Sequence, residues 1–527
     1  MAYIKALHIE GLKKFTRLDV TFNEHMNILV GENEAGKSTI LEAIKIVLNQ
    51  QYRNAEKTTL HDLFNTKSVD AFKANPSVET LPCILIEIEL DLSNYQKDAS
   101  YFYGEAYGEK AQKQEKFGVR FECSSDKTLG SGVEDFVRDG NIPYEYYSLT
   151  WKTFANLPYT SIKRPMGLIG IDTSGGNTAS SFNQYNKALF VSKYDETTRA
   201  KAKNEFRANV DNALELTNLP PVRENARFGI DSKKVVLESV LSVFEDSVAL
   251  ENRGSGMENL IKTQIALDRH SGLDPILIEE PENHLGFSNL RKMLQEISDK
   301  QNESQIIIAT HNSMIASRLN LNNILWIGAD GIVRSLASVS SETAKFFVKA
   351  NDNGLLRLLL AENIILVEGP TEALLVPEFY EQITGHTTEA DGIVVISCNG
   401  ISYKRYLDVA KSAKKKIAVI TDNDGKLGRI NQAQQFNEEN YDQHIFMGYT
   451  IDDWTWEACI LAINEEELED IVKVKDDSRY LFHGKDYGPV LGKMLNNKVD
   501  TAYEMLTSEK VFAVPQYVQD AITWLGE

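Results

Sequence analysis

The sequence predicts an α/β chain of two domains in series, and three observations carry that prediction. The chain has 527 residues, more than one hydrophobic core supports. Near its start an apolar stretch runs into Gly31-Glu-Asn-Glu-Ala-Gly36-Lys37-Ser38 and then into a helical pattern. From residue 363 short apolar runs alternate afresh with segments of helix length, as parallel βαβ units require.

Taken in order, residues 3–10, 18–22 and 27–30 read as strands, broken at Gly11 and at the Asn23-Glu24 turn. The third strand feeds the glycine loop, and 38–48 continues as a helix with Ile40, Leu41, Ile44 and Leu48 on one face. Residues 84–92 alternate strictly, with Ile84, Ile86, Ile88, Leu90 and Leu92 opposite Glu87, Glu89 and Asp91, which predicts a half-exposed strand of an antiparallel sheet. From about 150 to 231 the pattern is irregular: a Ser/Gly/Asn-rich piece, 173–183, precedes a charged helical run, 195–216, and together they predict an inserted helical segment for dimerisation or a lid. Residues 275–279 and 305–310 read as buried parallel strands joined by a crossover helix. A helix over 341–360 leads to strand 363–367, helix 372–382, strand 393–397, helix 403–412 and strand 416–421. The expected domains are therefore 1–345 and 346–527.

Composition narrows the classes. A formal charge of −20 argues against non-specific coating of nucleic acid, which needs a basic surface, but not against an enzyme that holds it locally. The basic cluster of Lys411 and 414–416 reads as a solvated helix end, its cations near the negative end of the dipole. No run approaches the eighteen or so apolar residues of a membrane span, and the first residues read as a strand, so no membrane role and a cytoplasmic location are expected. Cys83, Cys123, Cys398 and Cys459 show no CxxC spacing, which predicts neither a disulfide framework nor a zinc site.

Strand, glycine loop and helix together make a phosphate site: loop N–H groups cradle phosphates, Lys37 reaches the β and γ oxygens and the Ser38 hydroxyl meets Mg²⁺. Gly31, Asn33, Gly36, Lys37, Ser38 and Thr39 form the expected ATP-binding set. In Ile276-Leu277-Ile278-Glu279-Glu280-Pro281 an apolar strand delivers two carboxylates, Glu279 toward the metal and Glu280 as general base. Asn252-Arg253-Gly254-Ser255-Gly256-Met257 precedes this strand and Thr310-His311-Asn312 follows the next one. Those four pieces in that order resemble ABC-type ATPases. The resemblance implies a signature loop whose Ser255 and Gly256 contact ATP on the opposing subunit, a switch histidine at His311, and hence a homo-oligomer, dimer or tetramer.

In the second half, Glu368-Gly-Pro-Thr-Glu372 follows one strand and Asp422-Asn423-Asp424-Gly425 another. This spacing resembles the TOPRIM domain, whose oxygen-only ligands suit two Mg²⁺ or Mn²⁺ ions and phosphodiester cleavage. An ABC-type head followed by TOPRIM is similar to the overcoming-lysogenization-defect (OLD) nuclease family, which includes the Gabija and retron-associated nucleases. The resemblance implies Glu368, Glu372, Asp422, Asp424 and Glu457 as metal ligands. It also implies a late lysine that steadies the phosphate, with Lys498 the candidate and Lys493 and Lys485 as rivals. His284-Leu285-Gly286-Phe287 departs from the family, which has His-Pro after the leucine. The implied function is an ATP-regulated, metal-dependent DNA endonuclease in anti-phage defence, working alone, with a helicase-like protein, or with a reverse transcriptase and its RNA–DNA. The alternative is a RecF-like or SMC-like DNA-binding repair ATPase with a non-catalytic TOPRIM domain. A topoisomerase would need a nucleophilic tyrosine in a partner domain, and primases lack the ABC-type head.

Overall fold

The computed structural model describes residues 2–527 except 94, 96–97, 107–113, 127, 129–131, 173–178, 214–219, 227, 229, 232–233, 269–273, 329, 351–353, 473, 475–479 and 483. The chain divides into two compact units, Met1–Ile315 with Asn323–Val333, and Ala316–Asn322 with Arg334–Glu527.

The first unit is built on two sheets. One is antiparallel: β1 (Tyr3–Leu12), β2 (Phe15–Thr21), β4 (Ile84–Asp91), β5 (Tyr103–Ala106), β6 (Gln114–Ser125) and β7 (Tyr147–Thr153), in the order β2-β1-β4-β6-β5 with β7 also on β6. The other runs β14-β13-β3-β12-β11-β8, from β3 (Met26–Gly31), β8 (Ile169–Asp172), β11 (Ile276–Glu279), β12 (Ile306–Thr310), β13 (Ile324–Ile327) and β14 (Val333–Ser335). Its β13, β3, β12, β11 and β8 are parallel. A two-stranded hairpin, β9 (Phe244–Glu245) with β10 (Val248–Ala249), stands apart.

The helix Lys37–Leu48 lies between the sheets. One buried face was expected; instead Ile40, Leu41, Ala43, Ile44, Ile46, Val47 and Leu48 are all buried, because β4 and β6 cover the side that a single sheet would leave to water. The Trp151 indole N–H donates to the Ile46 carbonyl at 2.8 Å. Gln305 joins the sheets, its buried amide bonding both the N–H and the carbonyl of Ile4 at 2.8 Å. Strand β4 departs from the half-exposed reading: Glu87 is 2% exposed, since Arg120 stands directly opposite in β6 and pairs with it at 2.7 Å. A buried pair of this kind keeps its charges only while both partners stay.

Within residues 150–231, Ile169–Asp172 is β8 of the parallel sheet, and Ala179–Lys193 and Glu196–Ala213 are helices. Part of the Ser/Gly/Asn-rich piece, 173–178, and the end of the charged run, 214–216, lie outside the described residues. Tyr185 ties the first of these helices to the head, its hydroxyl donating to the Lys262 carbonyl at 3.0 Å.

The second unit holds a four-stranded parallel sheet, order β16-β15-β17-β18, from β15 (Asn363–Val367), β16 (Ile393–Ser397), β17 (Lys416–Ile420) and β18 (Gln443–Phe446). A small hairpin, β19 (Leu481–Phe482) with β20 (Lys485–Asp486), follows. The core gathers Ile365, Val367 and Ala418 from the sheet with Val376, Trp456, Ile460, Leu491 and Val518 from helices. The basic cluster divides: Lys411 and Lys414 are exposed at the end of the helix Tyr403–Ala413 as expected, whereas Lys415 is buried and donates to the Ala361 carbonyl, and Lys416 donates to the Trp524 carbonyl at 2.7 Å while lying over its ring. Lys415 and Lys416 spend their donors on the fold. Among the described residues no helix is long and apolar enough to cross a membrane.

Candidate functional site

In the first unit β3 ends at Gly31, and the chain turns into the helix at Gly36. A side chain at Gly36 would be doubly refused, by its φ of 104° and by Phe15, whose ring lies 2.3 Å from where a Cβ would sit. The helix opens with no side-chain cap and no acid in its first turn, so its positive end suits phosphate. Lys37 is buried, with Nζ 2.8 Å from the Gly31 carbonyl and 2.9 Å from that of Glu32. Burial lowers its pKa, against the pull of Glu280, Glu282, Glu279 and Glu32. Asn33 and Ser38 are exposed and Thr39 is buried.

Pairing of β11 with β12 sets Glu279 beside Ala309. Glu279 is buried, its carboxylate 3.8 Å from Lys45 Nζ. Glu280 turns left-handed at φ 47° and puts Oε2 2.5 Å from His311 Nδ1. Burial raises the Glu280 pKa, and the neighbouring Glu282 adds to the shift. Glu280, Glu282 and His311 are the one group of three such side chains, among the described residues, whose ligand atoms all lie within 4.8 Å of one another. Glu282 was not foreseen; its only sequence signal is a third acid after the Glu-Glu-Pro turn. Ser255 begins the helix Ser255–Leu267 after Gly254, and Gly256 lies so close to the next loop that a Cβ would stand 2.1 Å from the His284 carbonyl oxygen.

The second unit gathers Glu368, Glu372, Asp422, Glu457 and Lys498. Adjacent strands β15 and β17 end together, and there Glu368 accepts from the Thr421 hydroxyl at 2.8 Å and from the Asp422 N–H at 3.2 Å. One turn into the helix Pro370–Thr384, Glu372 folds back to accept the Gly369 N–H at 3.1 Å. Asp422 accepts from the Trp456 N–H and the Thr455 hydroxyl, both at 2.8 Å, and the same hydroxyl lies 2.8 Å from Glu457. A hydroxyl has one proton to give, so Thr455 satisfies one of these carboxylates at a time. Lys498, first residue of the helix Lys498–Thr507, reaches Glu457 at 2.9 Å. Burial pulls its pKa down, but the bond and charge of Glu457 and the other acids outweigh this and raise it.

Crowding shows in the acids. Burial, with Glu457 and Glu368 adding to it, raises the Glu372 pKa to about 7, and burial with Glu368 raises Asp422 to about 7. Like charges held together in poor solvent fit a site that a divalent cation completes.

Asp424 stands differently: Arg429 and, at 3.8 Å, Lys426 take its carboxylate, and it makes none of the hydrogen bonds that link the other acids. Of the rival lysines, Lys485 pairs with Asp452 at 3.1 Å and Lys493 sits in the last turn of the helix Gly488–Asn496, while Lys498 pairs with Glu457. Sequence reasoning missed Thr455 and Asn423. Asn423 is fully buried and donates to the carbonyls of Gly448, Thr450 and Asp453, fixing the loop that carries Asp422.

Comparison with known proteins gives two family matches: the AAA domain over residues 6–314, and the overcoming lysogenization defect protein-like TOPRIM domain over residues 359–424. The chain is similar to the Old nuclease of Escherichia phage P2, 24% identical over 34% of this chain and 30% of that protein. It is also similar to the endonuclease GajA of Bacillus cereus (strain VD045), 20% identical over 79% of this chain and 74% of that protein. Among solved structures, an Smc head bound to the C-terminal winged-helix domain of ScpA is 15% identical, with a TM-score of 0.34, covering 63% of this chain and 97% of that one.

Proposed function

This chain belongs to the overcoming-lysogenization-defect family of nucleases, and from that premise we propose that it is an ATP-regulated, divalent-metal-dependent DNA endonuclease. The observation that carries the reading is the meeting of Glu368, Glu372, Asp422 and Glu457 with Lys498 at the ends of two parallel strands. Glu368, Glu372, Asp422 and Glu457 would hold Mg²⁺ or Mn²⁺, two ions in all, with Asp424 joining them once Arg429 lets go. When bound, such ions supply the activated water and steady the leaving oxygen. Lys498, half exposed beside Glu457, balances charge on the phosphate being cut. Thr455 and the Trp456 N–H hold Asp422 in place.

In the head, Lys37 and the helix start bind the ATP phosphates, Ser38 and Glu279 hold Mg²⁺, and Glu280 acts as base. Ser255 and Gly256, half-buried between exposed Gly254 and Met257 at the start of their helix, suit a contact with a second copy of the chain, so a homo-oligomer follows. Defence against phage is the role the family resemblance supports, with DNA as substrate.

Supercoiled plasmid with Mg²⁺ or Mn²⁺ tests this reading. Nicked or linear product is expected from the wild type, and none from Asp422→Asn or Glu368→Ala, both of which keep ATP binding. A chain that binds ATP and DNA but leaves plasmid intact with either metal is the repair-type ATPase instead, and relaxed closed circles mark a topoisomerase.

A further inference from the structure

We propose that Glu282 is a positioning residue for ATP hydrolysis, holding His311 against the base Glu280; the inference rests on the ATPase reading of the head. Glu282 occupies the turn after Pro281, and its side chain is 8% exposed. One oxygen, Oε1, gathers three contacts: the Thr310 hydroxyl at 2.6 Å, the His311 N–H at 3.3 Å and His311 Nδ1 at 3.5 Å. Thr310 is fully buried at the end of β12, and its hydroxyl also accepts the Asn312 N–H at 2.9 Å, so the anchor is rigid. Glu280 Oε2 approaches the same Nδ1 at 2.5 Å, beside the Glu282 carboxyl. Two carboxylates gathered at Nδ1 favour the proton on that nitrogen and leave Nε2 as the acceptor. His311 is half exposed, so with Nδ1 clamped its other nitrogen is the one left to meet nucleotide or a second subunit. Glu282 itself touches no reacting atom in this account; it acts through His311 and Glu280.

The test uses the full chain under conditions in which the wild type hydrolyses ATP, reading nucleotide affinity and turnover separately. Glu282→Gln keeps an oxygen for Thr310 and the His311 N–H but removes the charge beside Nδ1. The expected result is affinity within about twofold of wild type and kcat lowered about tenfold, the scale of one charged hydrogen bond. Placed on His311→Ala, the same change should lower kcat no further, because residues acting as one unit are not additive. Thr310→Val, which loses the hydroxyl that fixes Glu282 and accepts the Asn312 N–H, should give the same split and serves if Glu282→Gln does not fold. An unchanged kcat, a loss that multiplies with that of His311→Ala, or affinity falling in step with turnover overturns the proposal. Wild-type protein that hydrolyses no ATP sinks the ATPase reading. Hydrolysis stopped by Glu280→Gln but untouched by Glu282→Gln sinks this inference alone.

Discussion

Asp422 shows how a proposed metal ligand opposes stability. Its carboxyl has a pKa near 7 in the fold against 3.8 for a free side chain, so the folded state holds the proton more tightly than the unfolded state. The stability this lends is complete below about pH 4 and lost as pH rises through about 7. In EDTA, wild-type protein should therefore lose thermal stability over that window, and Asp422→Asn should lose less and melt higher at pH 8. Added Mg²⁺ should raise the melting temperature of the wild type and leave the variant unmoved. Equal melting curves in EDTA at pH 8 would show that the acids are not crowded. Glu368, Glu372 and Asp422 were legible because acids after a strand end form a local pattern, whereas Glu457 came only from the family resemblance and Asp424, the second acid of Asp-x-Asp, lies with Arg429. Thr455 and Glu282 were not legible, since each earns its place through partners 33 and 28 residues away, Asp422 and Thr310.

At the level of elements, strands and helices of clear period were readable and their surroundings were not. The βαβ series from Asn363 matches the expected strands within a residue at each end. Strand β8 escaped because Ile-Gly-Ile-Asp is too short to show a period, and only pairing with β11 makes it a strand. Glu87 looked solvated because sequence alternation does not reveal the arginine that the next strand brings opposite it. Close backbone approach is equally hidden: Gly256 looks like part of a flexible Gly-Ser-Gly, yet it abuts the His284 carbonyl in its own chain. Gly256→Ala should therefore destabilise the head by about 1–3 kcal/mol, the usual cost of overpacking, measured by urea unfolding. If stability is unchanged and only ATP turnover falls, the glycine serves the second subunit and not its own loop.

At the scale of the whole molecule, the proposed completion of the ATP site by Ser255 and Gly256 from another copy requires an oligomer. Mass measurement with ATP and Mg²⁺ should find a dimer or a higher even-numbered oligomer, and a strict monomer with and without nucleotide would remove these residues from the ATP site. Within each unit the strand ends collect the candidate residues, the glycine loop after β3 and carboxylates at β11 in one and acids after β15 and β17 in the other.

Phosphodiester hydrolysis is downhill and the acid cluster carries its own ligands, so ATP should regulate the cut and not power it. Nucleotide can act on the nuclease unit only by favouring one shape of the head over another. The decisive measurement is the initial rate of plasmid cleavage with Mg²⁺ or Mn²⁺ alone, with ATP, and with a non-hydrolysable ATP analogue. The account predicts cleavage with metal alone and a shift in rate of the same sign from ATP and from the analogue. Cleavage that appears only while ATP is being hydrolysed would contradict it and make the head a motor.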